Sequence, residues 1–234
     1  MPLAPVAVVV GGACGAEEDS MVVASAVDAL LAMSVVVAVP APALPYTVPY
    51  AGCRHYTGAL DAAVCATWLA GLDQEVEKWE PIGAGQPDGK RLSGRLPESS
   101  EVVVALSGYL GGMGELGGRV CVDPYALRSM PGCRVQKPHV DFNSALVSEI
   151  PVGGRKPASV LLALESGSRL FFGRRLNGPD GDVMVALGAG DVLVFEGDVP
   201  HYGSDYLIRN TRVHLYLDLI GVEMRVENES YLYR

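Results

Sequence analysis

The sequence predicts a mainly β fold with flanking helices, and three observations lead there. From residue 101 onward, short apolar runs recur with Gly, Pro and Asn between them, the punctuation of strands and tight turns. Several runs, Ser159–Leu164 and Asp191–Phe195 among them, are too short for helices and rich in Val, Leu and Phe. The length, 234 residues, suits a single all-β domain. Roughly eight such strands fit a double-stranded β-helix, a jelly roll. Residues 101–234 would form its core and residues 1–100 a helical and β support region.

In chain order, Val6–Val10, a Gly-rich turn, a helix from about Ser20 to Met33 and a strand over Ser34–Val39 read as a β-α-β opening. Gly11-Gly12-Ala13-Cys14-Gly15 is a turn, since it lacks both the Gly-Lys-Ser/Thr of a phosphate loop and the spacing of a dinucleotide fingerprint. A Pro-rich connector, Pro40–Pro49, follows. Ala59–Trp79 carries Leu60, Val64, Trp68, Leu69 and Leu72 at helical spacing, a helix expected to brace a sheet from outside. Ile82–Ser100 is polar and rich in Gly and Pro and reads as a mobile or exposed loop. Strands are expected at Val102–Leu106, Val120–Tyr125, Cys133–His139, Ser159–Leu164, Arg169–Phe172, Asp182–Leu187, Asp191–Phe195 and Thr211–Leu219.

Charge narrows the function classes. A net charge of −9 argues against a general nucleic-acid coat, because phosphate affinity comes mainly from Lys and Arg. Between Arg119 and Arg175, however, nine basic residues face four acidic ones, which reads either as a solvated surface or as a field for an anionic ligand. Five dispersed cysteines without a CxxC suggest free thiols in a reducing, intracellular compartment. The acidic start fits no signal or transit peptide, and the apolar stretch Met21–Pro40 is interrupted by Asp28, so no membrane span is expected. Oligomeric state leaves no mark on the sequence.

Two distant segments carry the chemistry. Pro138-His139-Val140-Asp141-Phe142 supplies an imidazole and a carboxylate two residues apart. About sixty residues on, Gly190-Asp191-Val192-Leu193-Val194-Phe195 leads to Pro200-His201-Tyr202-Gly203. An HxD pair alone is weak evidence, and a lone His on a strand is more often a core or surface histidine than a ligand. The combination is stronger: the chain has only four histidines, and two imidazoles plus one carboxylate are the facial set that leaves coordination positions of Fe(II) open. Arg212 then opens the alternating run Arg212-Val213-His214-Leu215-Tyr216. The order HxD … GDxLxF … H … R resembles the Fe(II)/2-oxoglutarate-dependent dioxygenase superfamily over roughly residues 119–220.

The resemblance implies roles for particular residues. His139, Asp141 and His201 would bind Fe(II), with the HxD ending one strand and the distal His on the opposite sheet. 2-Oxoglutarate would chelate that iron, and its far carboxylate needs a cation. Arg212 is the first candidate and Arg209 its rival, since a guanidinium grips a carboxylate with two prongs. Alternation puts Arg212, His214 and Tyr216 on one strand face, so His214 is expected beside the cosubstrate and Tyr216 beside the substrate, unless the face points outward. Tyr125, Gln136 and Asn143 are further candidates for contacts around the site. The family reaction would consume O₂, release succinate and CO₂, and hydroxylate, because Asp141 is present where related halogenases carry a small residue. One member of the TET-like branch uses ascorbate in place of 2-oxoglutarate, so the triad alone leaves the cosubstrate open. The substrate is expected to be a small molecule or a protein side chain. A nucleobase, as in the AlkB and TET/JBP branches, is the alternative, and a cupin-like metal-binding protein without oxygenase activity is a third reading.

Overall fold

The computed structural model describes residues 50–82, 89–173 and 182–222 and the backbone of 225–231. The chain divides into units Met1–Ala38 and Val39–Arg234, and every described residue belongs to the second. The expected β-α-β opening, the whole Pro-rich connector Pro40–Pro49, and Arg174 and Arg175 lie outside the described residues.

Two antiparallel sheets dominate. Strands β1 (Cys53–Tyr56), β2 (Glu80–Pro81), β3 (Arg91–Arg95), β4 (Arg119–Ser129), β6 (Ala158–Ala163), β9 (Val192–Glu196) and β11 (Asn210–Leu219) form one sheet, in the order β1-β9-β6-β11-β4-β3-β2. Strands β5 (His139–Phe142), β7 (Ser168–Phe172), β8 (Val183–Leu187), β10 (His201–Gly203) and β12 (Arg225–Tyr231) form the other, in the order β12-β5-β10-β7-β8. Helices α1 (Ala62–Glu75) and α2 (Glu101–Gly112) cover the larger sheet, and the short α3 (Ser144–Ser148) follows β5. No helix among the described residues is long and apolar enough to cross a membrane.

Period-two alternation explains both cores. On β6, Val160 and Leu162 pack toward the helices while Leu161 and Ala163 face the smaller sheet. On β9, Val192 and Val194 face the helices and Leu193 and Phe195 face inward. With apolar residues required on both faces, these strands read as continuous hydrophobic runs. On β11 the outward set, Val213, Leu215 and Leu217, is apolar, but the inward set is Arg212, His214 and Tyr216. A polar row on the inner face of a central strand marks where the fold stops being core.

Three expectations are corrected. Val102–Leu106 is helix, not strand. The β-branched run Val102-Val103-Val104 has strand propensity, but Val102, Val103, Leu106, Tyr109 and Leu110 are all buried, which is helical spacing. Cys133–His139 is not a strand either. Cys133 makes one isolated bridge to Tyr206, and the strand begins only at His139, after Pro138, which has no N–H to donate. Ile82–Ser100 is not an exposed loop throughout: it contains β3, paired to β4 with Arg91 opposite Ser129, and Arg91 is fully buried. Its sequence, Arg-Leu-Ser-Gly-Arg, offers too little alternation to announce a strand.

Two ties hold the sheets in place. Asp191, in the turn before β9, accepts from Gly58 N at 2.8 Å and Gly188 N at 2.9 Å and meets His55 Nε2 at 2.9 Å. Beyond the end of α2, buried Glu115 meets Arg54 (2.6 Å), Arg119 (2.7 Å) and the Tyr56 hydroxyl (2.6 Å). Burial opposes the charge of Glu115, but these partners outweigh it and hold the carboxyl below its ordinary range. Glu115→Ala would leave the buried Arg119 and the half-buried Arg54 without this counter-charge. It should cost about 3–5 kcal/mol of unfolding free energy in urea titrations. A loss under about 1 kcal/mol would mean that water replaces the carboxylate.

Candidate metal centre

His139 and Asp141 share a face of β5 because they are two residues apart, and His201 on β10 pairs directly with His139. The distal histidine is therefore on the adjacent strand of the same sheet, correcting the expectation that it comes from the opposite one. The three side chains offer ligand atoms that all lie within 4.8 Å of one another. His139 Nε2 is 3.8 Å from Asp141 Oδ1 and His201 Nε2 is 3.6 Å from Asp141 Oδ2.

Tautomers follow from the neighbours. His139 Nδ1 lies 2.9 Å from the Lys137 carbonyl oxygen and His201 Nδ1 lies 3.1 Å from that of Val199. A carbonyl can only accept, so each Nδ1 carries the proton and each Nε2 turns a lone pair toward Asp141. This backbone support is what metal-ligating imidazoles need. Ser159, on the opposite sheet, donates its hydroxyl to Asp141 Oδ2. Two neutral imidazoles and one supported carboxylate fit a divalent transition metal.

Burial sets the protonation. It pushes His201 down to about 4, with Asp141 pulling the other way, and pushes His214 down to about 3. Burial opposes the charge of Asp141, yet His201, His214 and His139 hold the carboxyl below its ordinary value. Because folding depresses the His201 pKa from 6.5, the unfolded chain takes up a proton there that the folded chain refuses. Stability is therefore full above about 6.5 and declines as pH falls toward 4. The melting temperature of metal-free protein should fall through that window; a flat profile would show that the imidazoles are hydrated.

The triad opens into a cavity of about 840 Å³. Leu127, Leu161, Leu170 and Phe195 line it beside the polar residues, and Glu75, Glu77, Lys78, Glu80, Arg95 and Asp123 stand at its rim. Arg212 reaches it from β11, 3% exposed. One of its terminal nitrogens donates to the Tyr206 hydroxyl at 3.3 Å, its Nε has no hydrogen-bond partner, and it makes no ion pair among the described residues. Arg209 is exposed, and its charge bears on Asp73 instead.

The remaining candidates separate. His214, Tyr216 and Tyr125 all line the cavity, with Tyr125 OH against His214 Nδ1 and 3.2 Å from Tyr216 OH. A one-residue bulge in β4 makes this possible: Tyr125 pairs with His214 but Val122 with Tyr216, and Asp123 takes a φ of 44°. The extra residue lets Cys121 pack toward the helices while Tyr125 faces the cavity. Gln136 also lines the cavity but is a clamp, its Oε1 accepting from Gly203 N at 2.9 Å and its own N donating to Gly203 O at 3.0 Å. Asn143 is not at the site. It caps α3, accepting from Ala145 N at 3.0 Å and Leu146 N at 3.4 Å.

Of the two readings of the basic cluster, an anionic-ligand field at this cavity is not met, since none of its described members lines it. Arg119 is spent on Glu115, Lys156 on Glu196 and Asp198, and Arg128 on Asp73 and the Trp79 ring. Two residues escaped the sequence reading. Ser159 was visible as the polar residue in an apolar strand. Arg91 gave no signal; with Arg212 and Gln136 it crowds Gly203, where a Cβ would lie 2.8 Å from Arg91 Nη1 and 3.2 Å from Arg212 Nη2.

No protein-family model and no curated protein matches the sequence. Solved structures do. HygX from Streptomyces hygroscopicus, with nickel and 2-oxoglutarate bound, superposes with a TM-score of 0.57 at 14% identity, covering 74% of this chain and 85% of its own. The non-heme alpha-ketoglutarate-dependent epimerase SnoN of nogalamycin biosynthesis gives 0.57 at 18% identity, covering 77% and 83%. The corresponding carbocyclase SnoK gives 0.54 at 17%, covering 71% and 79%. The fold is that of the 2-oxoglutarate-dependent oxygenases. The mainly β, jelly-roll expectation is thereby borne out, and the oxygenase fold sets the triad, Arg212 and the tyrosines around one cavity.

Proposed function

We propose that this chain is an Fe(II)- and 2-oxoglutarate-dependent dioxygenase that hydroxylates a small molecule or a protein side chain, releasing succinate and CO₂. The observation that carries the reading is Arg212, a buried guanidinium without a counter-charge among the described residues, in the same cavity as the His-Asp-His set. An unpaired buried cation is costly unless a ligand supplies the anion. A dicarboxylate answers both demands, one end at the metal and the other at Arg212.

His139, Asp141 and His201 would hold the iron, which with 2-oxoglutarate and O₂ supplies an oxidant able to take hydrogen from an unactivated carbon. The apolar wall of Leu127, Leu161, Leu170 and Phe195 limits water around that position. The carboxylate of Asp141 favours hydroxylation over halogenation. The rim, four acids against two bases, repels a polyanion, so a small molecule or protein substrate is favoured over nucleic acid. Succinate release should require both Fe(II) and 2-oxoglutarate and should rise with a true substrate but not with DNA. Turnover sustained by ascorbate without 2-oxoglutarate would overturn the cosubstrate assignment and keep the iron site.

A further inference from the structure

We propose that Glu75 makes this cavity selective for a substrate carrying a positively charged nitrogen, its carboxylate pairing with an ammonium or guanidinium group at the mouth. The inference rests on the function just proposed and narrows its substrate class, which neither the triad nor Arg212 decides. Three observations converge on it.

The first is the charge left over at the mouth. Lys78 meets Glu80 there at 2.6 Å, and Arg95 meets Asp123 at 3.0 Å. Both bases are thereby spent. Glu75 and Glu77 remain, and neither makes an ion pair among the described residues. A mouth with uncompensated negative charge draws cations in and turns anions away.

The second is how Glu75 is held. It ends α1, where the helix dipole disfavours an anion, and the last turn of that helix has no basic residue to offset it. Ser100, buried at the N-cap position of α2, makes no capping bond with its side chain. A serine there ordinarily accepts from the N–H groups of its own helix. This hydroxyl instead donates to Glu75 Oε2, and it is the one hydrogen-bond partner of that carboxylate among the described residues. The N-terminus of α2 already has an acid in its first turn, Glu101, and does not need Glu75 for charge. A half-buried carboxylate on the cavity wall, in an unfavourable place and fixed by a hydroxyl withdrawn from capping, has its task outside the fold.

The third is the cavity beneath it. About 840 Å³ is more than a five-carbon dicarboxylate fills, so a second molecule has room beside the cosubstrate. His214, 6% exposed, lines the same cavity with an Nε2 that has no hydrogen-bond partner in the protein. Such buried atoms are nearly always paired, so the space is built for a ligand. Leu127, Leu161, Leu170 and Phe195 give that ligand an apolar wall, and Glu75 gives it a counter-charge. Their complement is an apolar body with a cationic nitrogen at one end.

Anaerobic calorimetry on the full chain loaded with Fe(II) and 2-oxoglutarate tests the assignment, with phenylalkylammonium ions of one to four methylenes set against the alcohols of the same length. At least one ammonium ion should bind about tenfold more tightly than its alcohol, the weight of a charge-assisted hydrogen bond at a half-exposed site. Glu75→Gln should erase that preference and leave alcohol affinity, iron content and the 2-oxoglutarate absorption band unchanged. Ser100→Ala should lose part of the preference with little change in melting temperature; a hydroxyl serving only the fold would do the reverse. A capped tripeptide with a central lysine, titrated alongside, tells a protein side chain from a free amine, and Glu75-dependent binding of either upholds the charge. Equal affinity for ammonium ions and alcohols, no measurable binding of any ammonium ion, or a preference that survives Glu75→Gln would overturn the inference. Absence of the 2-oxoglutarate band in the wild type would instead sink the proposed function, and a Glu75-dependent preference would still stand.

Discussion

His139→Ala and His201→Ala should each reduce iron from one per chain to undetectable, with activity lost in parallel. The two imidazoles would supply both nitrogen donors of the site, and among the described residues no other imidazole belongs to the cluster. Each is held by a single backbone bond through Nδ1, to Lys137 O or Val199 O, which turns Nε2 toward Asp141. Removing one leaves an imidazole and a carboxylate, a pair that water and buffer ligands outcompete. His214 cannot step in without giving up its contact with Tyr125. Ser159→Ala gives the graded comparison: losing the hydroxyl that supports Asp141 should weaken metal binding about ten- to a hundredfold without abolishing it. Full iron occupancy in both histidine variants would place the metal elsewhere. Asp141→Ala should lose hydroxylation, and halide-dependent chlorination by the wild type would contradict the role given to that carboxylate.

Arg212→Ala should weaken 2-oxoglutarate binding by roughly a hundred- to a few-thousandfold while leaving iron binding intact. The figure follows from about 3–5 kcal/mol for deleting one partner of a buried pair, at about 1.4 kcal/mol per decade. Arg212→Lys should recover part of the loss, because an ammonium cannot reproduce the two-pronged geometry. Arg209→Ala should change affinity by less than about twofold, since an exposed charge is screened by solvent. The same variant makes a second, less obvious prediction. In the ligand-free protein Arg212 is a buried cation without an ion pair among the described residues, so removing it should leave the melting temperature unchanged or raise it. A marked destabilisation of ligand-free Arg212→Ala would show that the guanidinium serves the fold and not a bound anion.

Legibility of the site in the sequence varied with distance along the chain. The spacing His139-x-Asp141 was readable because two residues on one strand must share a face. That Arg212, His214 and Tyr216 share a face followed from the same rule, and the structure turns that face toward the cavity. Tyr125 was a weaker candidate, because its direction depends on a bulge at Asp123 that alternation alone would have placed one residue out. Asn143 was misread: its nearness to Asp141 in sequence said nothing of its use as a helix cap.

What the sequence by itself determined is the local set: strand periods, a helix within Ala59–Trp79 that the structure bounds at Ala62–Glu75, and the kinds of ligand available at His139, Asp141, His201 and Arg212. These depend on residue type and short spacing, where backbone geometry leaves few choices. The tertiary structure alone decided which strands are neighbours. It placed His201 directly opposite His139, brought Ser159 and His214 from the other sheet to Asp141, and turned Arg209 outward while burying Arg212. It also made a strand of Arg91–Arg95, with Arg91 fully buried, although these residues carry almost no strand signal of their own. Sheet order depends on burying apolar faces contributed by segments far apart in the chain, and no window of neighbouring residues holds that information.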